Sequence, residues 1–437
     1  MANTYLTRTP SSSGNRKTFT FSFWFKRGSL GSNQYIYTQY NSSNSYNSAI
    51  YLGSSDNFLF WDYTNAYQLN LRLNRLFRDV NAWYHIVIAV DTTQATASNR
   101  AKIYINGVQE TSFSTATYPS QNLDLRINEY QPQQIGISRY GSTNENFFDG
   151  SMSHFHFIDG TAYPASAFGS TDSTTGEWKI NTSPSVTYGT NGYFILKDGN
   201  TITDSSPNSN NFSLGGGTLT KTEDCPSNVF ATFNPLHQGV PSRELIYSNG
   251  NGTITASTNN WQPSGSTLAV PPKTGKWYWE FSQFVSSQFF VGLMASNCNI
   301  NVSLPYEALG LITYFQSGRL TKDNSATESY FTAISNQTDV VGVALDMTAG
   351  TYGQVQFYHN GSATGSAVAL TSNFANQFVM PFGMCNGSTR SVSLNTGNGY
   401  FGTVAISSEG TNASGIGKFE HDVPANHKPI STKGLNA

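Results

Sequence analysis

The chain has 437 residues, enough for two or three domains of ordinary size. Charged residues make up only 11%, against about 25% in an ordinary soluble domain, and 24 Lys plus Arg against 26 Asp plus Glu leave a net charge of -2. That balance offers no electrostatic handle for nucleic acid or an anionic membrane, so neither is expected as a partner.

Aromatic residues reach 14%, with 24 Tyr and 29 Phe. Aromatics and Thr favour strands, whereas Asn, Gly and Ser favour turns. The good helix formers never cluster at helical spacing, so the composition predicts an all-β chain with many turns. The 3 Cys, at Cys225, Cys298 and Cys385, are scattered and form no CxxC pair. Neither a disulfide framework nor a zinc site is expected from them. The N-terminal MANTYLTRTPSSSG has no apolar signal-peptide segment, and no apolar run reaches the roughly 18 residues of a membrane span. No export signal or membrane insertion is expected.

In chain order, FTFSFWF (19–25) alternates Phe19, Phe21, Phe23 and Phe25 with Thr20, Ser22 and Trp24, the period-2 pattern of a strand. Leu69, Leu71 and Leu73 alternate with Asn70, Arg72 and Asn74 in the same way. WYHIVIAVD (83–91) is apolar on both faces, which predicts a central strand covered on both sides. AKIYINGVQ (101–109) then brings Asn106-Gly107, a hairpin signal, because a type I′ turn needs φ > 0 at both central residues.

The pattern returns about 250 residues later. TDVVGVALD (338–346) matches WYHIVIAVD, and QVQFYHNG (354–361) ends in Asn360-Gly361. Two related sandwiches are therefore expected. KWYWEF (276–281) sets Trp277, Trp279 and Phe281 on one face and Lys276, Tyr278 and Glu280 on the other. The fold class read from these patterns is all-β: two jelly-roll or β-sandwich domains joined by an irregular linker, with an extended C-terminal strap. The domains are placed at 1–172 and 244–403. Residues 173–243 form a connecting segment with a returning strand, and 404–437 form the strap, too poor in apolar residues for a core of its own. Lys418, His421, His427, Lys428 and Lys433 are its expected docking groups.

FTFSFWFKR (19–27), WYHIVIAVD, KIYINGV (102–108) and FFDGSMSHFHFIDG (147–160) together resemble a concanavalin A-like, laminin-G-type jelly roll over about 1–172. KWYWEF, FFVGLM (289–294), VVGVALDM (340–347), VQFYHNG and SVSLNTGNGYFG (391–402) resemble an SPRY-type sandwich over about 245–403. That family ends on Asn-Phe-Gly, where this chain has Asn395-Thr396-Gly397. YGTNGYFILKD (188–198), SPNSNNFS (206–213), DCPSNVFATFNPL (224–236) and KFEHDVPANHKPISTKGLN (418–436) are similar to stretches of tail-fibre and other virion proteins of tailed phages, marine ones especially. The resemblance implies a bacteriophage virion structural protein, a tail-fibre, host-recognition or particle-surface component. Its implied partners are other virion proteins, copies of itself in the particle, and a host cell-surface glycan. The rival readings are a glycan depolymerase on a jelly-roll scaffold and a secreted lectin-like adhesin.

Motifs for chemistry are sparse. No GxSxG, HExxH or P-loop pattern occurs, and Gly215–Gly217 is not followed by the Lys-Ser/Thr that would bind phosphate. Glu420 and Asp422 in GKFEHD have the i, i+2 spacing of a paired-carboxylate glycosidase, but they sit in the strap, outside either sandwich. His154 and His156 share a strand face without an acid beside them. No enzyme and no cofactor are therefore expected. Laminin-G-like domains often hold calcium, and Asp91, Asp149 and Asp159 near strand ends are the acids available for it. A glycan- or partner-binding surface would combine exposed aromatics with polar side chains. NFLFWDYTNAY (57–67) and SRYGSTNENFF (138–148) are the richest stretches, which makes Trp61, Asp62, Tyr63, Arg139 and Tyr140 the candidate contacts.

Overall fold

The computed structural model describes residues 3–40, 46–140, 143–197, 201–238, 245–301 and 308–437. It is almost entirely strand, as the composition predicts, with one short helix at Thr432–Leu435 besides a few 3-10 turns among the described residues. The chain divides into two compact units, Met1–Lys221 and Thr222–Ala437.

In the first unit, a front sheet of eight strands runs in the order Phe113–Thr117, Ala66–Leu76, Asn57–Thr64, Tyr46–Leu52, Gln34–Tyr40, Gln133–Ile135, Tyr5–Arg8 and Ser213–Gly216. The back sheet has six strands, in the order Tyr193–Ile195, Gly150–Asp159, Thr18–Arg27, Tyr84–Asp91, Ala101–Ile105 and Val108–Gln109. Phe19, Phe21, Phe23 and Phe25 point between the sheets against Tyr37, Ile50, Phe58 and Phe60, and all are fully buried. Tyr84–Asp91 lies between two neighbours, as expected of a strand apolar on both faces. Residues 173–221, read from the sequence as connecting segment, contribute Tyr193–Ile195 to the back sheet and Ser213–Gly216 to the front sheet.

The alternating polar residues of the Phe-rich strand are also buried, which period-2 reading alone does not foresee. Thr20, Ser22 and Trp24 lie beneath residues 161–188, which run over the outer face of the back sheet.

The second unit repeats the plan. Its front sheet has seven strands, ordered Phe233–Gln238, Trp261–Ser266, Val379–Asn386, Phe289–Ala295, Leu311–Phe315, Leu320–Lys322 and Ser325–Thr327. Its back sheet orders Leu245–Ser248, Thr253–Ala256, Ser391–Asn395, Lys276–Val285, Val341–Asp346, Gln354–His359 and Ser362–Ala369, and Lys428–Pro429 pairs parallel with Trp277 and Tyr278. Trp277, Trp279 and Phe281 enter the core, as their spacing predicts. The segment 404–437 packs on its own unit: Phe419 and Val423 close over Tyr278 and Ala344, and Ile430 joins the core. Its expected docking groups are engaged there, with Lys418 near Glu223 and Glu409, and Lys428 bonded to the carbonyl of Ala437.

Both Asn-Gly pairs sit at hairpin tips. Ile105 pairs with Val108 and His359 with Ser362, so the two residues between are the turn. The φ angles are 46° and 82° at Asn106 and Gly107, and 49° and 78° at Asn360 and Gly361, as a type I′ turn demands. The Asn side chains also work alike. Asn106 Oδ1 accepts from the His85 amide at 2.8 Å, and Asn360 Oδ1 from the Val340 amide at 2.7 Å.

Candidate functional site

The outer face of the front sheet in the first unit gathers the aromatic side chains that the core does not use. Strand register arranges them in three rows. Tyr35 opposes Tyr51, and the row continues through Leu59 to Arg72. Ala49, Trp61 and Asn70 form the second row, and Tyr40, Tyr63 and Tyr67 belong to the third. The rings of Tyr35 and Tyr51 stack at 4.5 Å with planes 7° apart. Tyr67 stands edge-on to Trp61 at 5.9 Å and to Tyr63 at 5.2 Å, and is 51% exposed. Trp61 and Arg72 both approach the Tyr51 hydroxyl. Burial pushes the Tyr35 hydroxyl up to about 12 and raises that of Tyr51, so both are neutral hydrogen-bonding groups at ordinary pH.

Tyr67 reaches this face through a bulge. Alternation from Leu73, Leu71 and Leu69 would point it into the core. The register shifts between Asp62 and Tyr63, so Asp62 opposes Leu69 while Tyr63 opposes Tyr67, and Gln68 is the extra residue. A bulge re-aims a side chain in this way.

The five residues singled out from the sequence divide. Trp61 and Tyr63 lie on this outer face. Asp62 is on the core side, 1% exposed, where it accepts from Ser48 Oγ and the Arg126 amide, both at 2.6 Å. Burial pushes its carboxyl up to about 6 against the pull of those bonds. It ties strands together and is separated from Trp61 by the sheet itself. Arg139, on the Ser138–Tyr140 and Thr143–Glu145 hairpin beside the sheet, lies over the Tyr40 ring at 5.2 Å. The side chain of Tyr140 falls outside the described residues. Sequence reading missed Tyr35, Tyr51 and Arg72, because their membership depends on which strands pair and in what register.

The groups considered for catalysis are committed elsewhere. Glu420 accepts from the Ser407 amide at 2.6 Å and from its hydroxyl, and Asp422 accepts from the Thr411 amide at 2.6 Å and its hydroxyl at 2.8 Å. Both carboxylates brace turns of the terminal segment. His154 and His156 are buried, His156 bonded to Tyr188 and His154 to Ser153. Cys298 and Cys385 are buried thiols with raised pKa, Cys298 to about 12, which leaves no thiolate there for nucleophilic work.

For calcium, Asp91 and Asp159 sit at one end of the Thr18–Arg27 strand, opposite Thr18 and Phe19. Asp149 precedes Gly150, which pairs with Arg27 at the other end. Asp91 is engaged by Thr93 and Gln94, and Asp159 by Asn15, Asn128 and Asn191. Among the described residues, no three His, Cys, Asp or Glu come together as metal ligands would.

Comparison with known families agrees with this architecture. Residues 2–168 match the family described as the concanavalin A-like lectin/glucanases superfamily, and residues 276–399 match the SPRY domain. The chain carries a concanavalin A-like domain followed by an SPRY domain. The aromatic face therefore belongs to the concanavalin A-like domain. No curated protein matches the chain.

Similar solved structures include the SPRY domain of human HERC1, at 19% identity over 37% of this chain and 96% of that one, with a TM-score of 0.30. A heptameric SAP-like pentraxin from Limulus polyphemus aligns at 17% identity over 37% of this chain and 71% of its own, with a TM-score of 0.27. Domain 4 of the arabinanase AbnA from Geobacillus stearothermophilus, solved with arabinotriose, aligns at 17% identity over 36% of this chain and 68% of its own, with a TM-score of 0.28.

Proposed function

We propose that this is a non-enzymatic binding protein of a tailed-phage particle, and that its concanavalin A-like domain holds a host cell-surface glycan on the outer face of the front sheet. The observation that carries the glycan reading is the Trp61–Tyr63–Tyr67 cluster. Its edge-on rings present apolar faces beside Asn70 and Arg72, and half of Tyr67 is exposed. A sugar offers C–H faces for stacking and hydroxyls for hydrogen bonds, and a charge-poor surface of Tyr, Trp and Asn supplies both. The virion assignment rests on the resemblance of the connecting and terminal segments to tailed-phage proteins. Display in many copies would let weak single contacts add up through effective concentration.

The commitment of Glu420 and Asp422 to turns supports binding without turnover over the depolymerase reading. The test is to incubate the purified protein, displayed on beads, with host-surface polysaccharide, and to measure retention and new reducing ends together. Retention without new ends, weakened about tenfold in Trp61→Ala and Tyr67→Ala, is the expected result. New reducing ends would overturn the non-enzymatic reading. Full retention in both variants would move the site elsewhere. Mass spectrometry of purified particles tests the virion assignment separately.

A further inference from the structure

The outer face of the back sheet in the first unit carries an unusual set of side chains. Ser22 and Trp24 come from Thr18–Arg27, His85 and Val87 from Tyr84–Asp91, and His156 from Gly150–Asp159. Residues 163–188 lie over them through Tyr163, Phe168, Trp178 and Tyr188. His85 and His156 are 1% and 2% exposed beneath this cover. His85 also stacks on Trp24, ring to ring at 4.7 Å.

Two side chains of the cover hydrogen-bond to the sheet below, and both do so at imidazole nitrogens. Trp178 Nε1 donates to His85 Nδ1 at 2.9 Å, and the Tyr188 hydroxyl meets His156 Nδ1 at 2.9 Å. An indole nitrogen can only donate. His85 Nδ1 must therefore carry a lone pair, which places its proton on Nε2, 2.9 Å from Ser22 Oγ. An imidazolium would direct an N–H at the Trp178 N–H. Trp178 cannot sidestep it, because Gly107 and Gly169 hold its ring so closely that a Cβ at either would lie 2.3 or 2.6 Å from it.

We propose that residues 163–188 are an acid-released cover, latched by a Trp178–His85 hydrogen bond that exists only with the neutral imidazole, with Tyr188–His156 as the second fastening point.

The surroundings sharpen this dependence. On the face around His85, Thr18–Arg27 contributes Lys26, Ala101–Ile105 contributes Lys102 and Tyr104, and Gly150–Asp159 contributes His154 and His156. Lys197 lies over the Phe194 ring, which stacks on His156. The cover brings Tyr163 and Tyr188. Among the described residues, no carboxylate acts on His85 or His156, and the charged neighbours that do act oppose protonation. Stacking on Trp24 offers an imidazolium some compensation, but less than its lost hydration. Burial accordingly pushes His85 down to about 3 and His156 well below its ordinary value. The sign follows from those depressed values. The closed cover keeps its full stability above about 6.5, where an uncovered histidine is neutral, and loses it as pH falls below that.

The test is amide hydrogen exchange by mass spectrometry on the full chain between pH 7.5 and pH 5, corrected for the intrinsic rate. Exchange of residues 163–188 should rise roughly twentyfold from pH 7 to pH 5, while the front sheet stays protected. His85→Asn supplies an acceptor for Trp178 that does not titrate, and should flatten that rise. Trp178→Phe keeps the ring and loses the N–H, so its cover should exchange faster at pH 7 with a weaker pH slope. A cover whose exchange does not change with pH would overturn the proposal, as would a His85→Asn profile identical to the parent. Simultaneous loss of protection in the front sheet would mean global acid unfolding and would overturn it as well.

Discussion

The carboxylate of Glu280 accepts the backbone N–H of Glu420 at 2.9 Å, across 140 residues of sequence. The same carboxylate takes the His421 N–H at 3.0 Å, the Tyr278 hydroxyl at 3.1 Å and Asn395 Nδ2 at 3.3 Å. It is fully buried with no cation among these partners, so hydrogen bonds alone carry its charge. This group fastens the terminal segment to the back sheet of the SPRY unit, as His85 fastens the cover in the first unit.

Glu280→Ala is expected to leave those four donors without an acceptor and to cost the SPRY unit about 3 kcal/mol. Glu280→Gln retains an acceptor and should cost about half as much. Urea unfolding followed by Trp fluorescence measures both, and equal losses in the two variants would deny Glu280 its role as a multiple acceptor.

The two units should respond to pH in opposite directions. Burial raises Glu280 from 4.5 to about 7. A carboxyl raised on folding contributes its full stability below its unfolded value and loses it as pH rises through the folded one. The Glu280 contribution should therefore decline between about pH 4.5 and pH 7, by on the order of 3 kcal/mol. Thermal melts of the chain across this range, beside Glu280→Gln, should show the decline only with the carboxyl present.

Gly107 and Gly361 sit at equivalent turns, and each seats the segment that covers its sheet. A Cβ at Gly107 would enter the Trp178 ring at 2.3 Å, and one at Gly361 would approach His421 Nδ1 at 2.9 Å. Both also have positive φ. Gly361→Ala is expected to cost about 1 kcal/mol, mostly for the backbone, because the His421 side chain can give way. Gly107→Ala should cost about 2–3 kcal/mol, because the indole is held on two sides. Differential scanning calorimetry of the two variants checks the order.

Asp62 and Trp61 are adjacent in sequence and should separate by phenotype. Asp62→Ala removes the acceptor of Ser48 and Arg126 inside the sandwich and should cost about 2 kcal/mol of stability. Asp62→Asn keeps an acceptor without the buried charge and should cost less. Polysaccharide retention, normalised to folded protein, should be unchanged in both, whereas Trp61→Ala weakens retention at little cost in stability.

Removal of residues 404–437 should destabilise the SPRY unit. The segment buries Phe419 and Ile430 completely, and it satisfies Glu280. A truncation ending at Gly402 is expected to expose the Tyr278–Ala344 face and bind a hydrophobic dye, with the first unit's melt unchanged.

The sequence by itself determined much of the plan. Strand periodicity placed Phe19–Phe25 and Trp277–Phe281 in two cores, and Asn106-Gly107 and Asn360-Gly361 at two type I′ turns. These are local properties: side chains alternate because a strand repeats every two residues, and φ > 0 selects Asn and Gly. Tertiary structure alone decided which faces stay open. The alternation that marks Ser22 and Glu280 as outward is correct, yet both are buried, because segments distant in sequence run over them. Tyr67 faces outward only because of a bulge that has no sequence signature in the stretch around it. The aromatic surface joins Tyr35, Tyr51 and Trp61 from strands whose pairing depends on register. Register and coverage are fixed by the collective burial of both sheets, and no single stretch of chain carries that information.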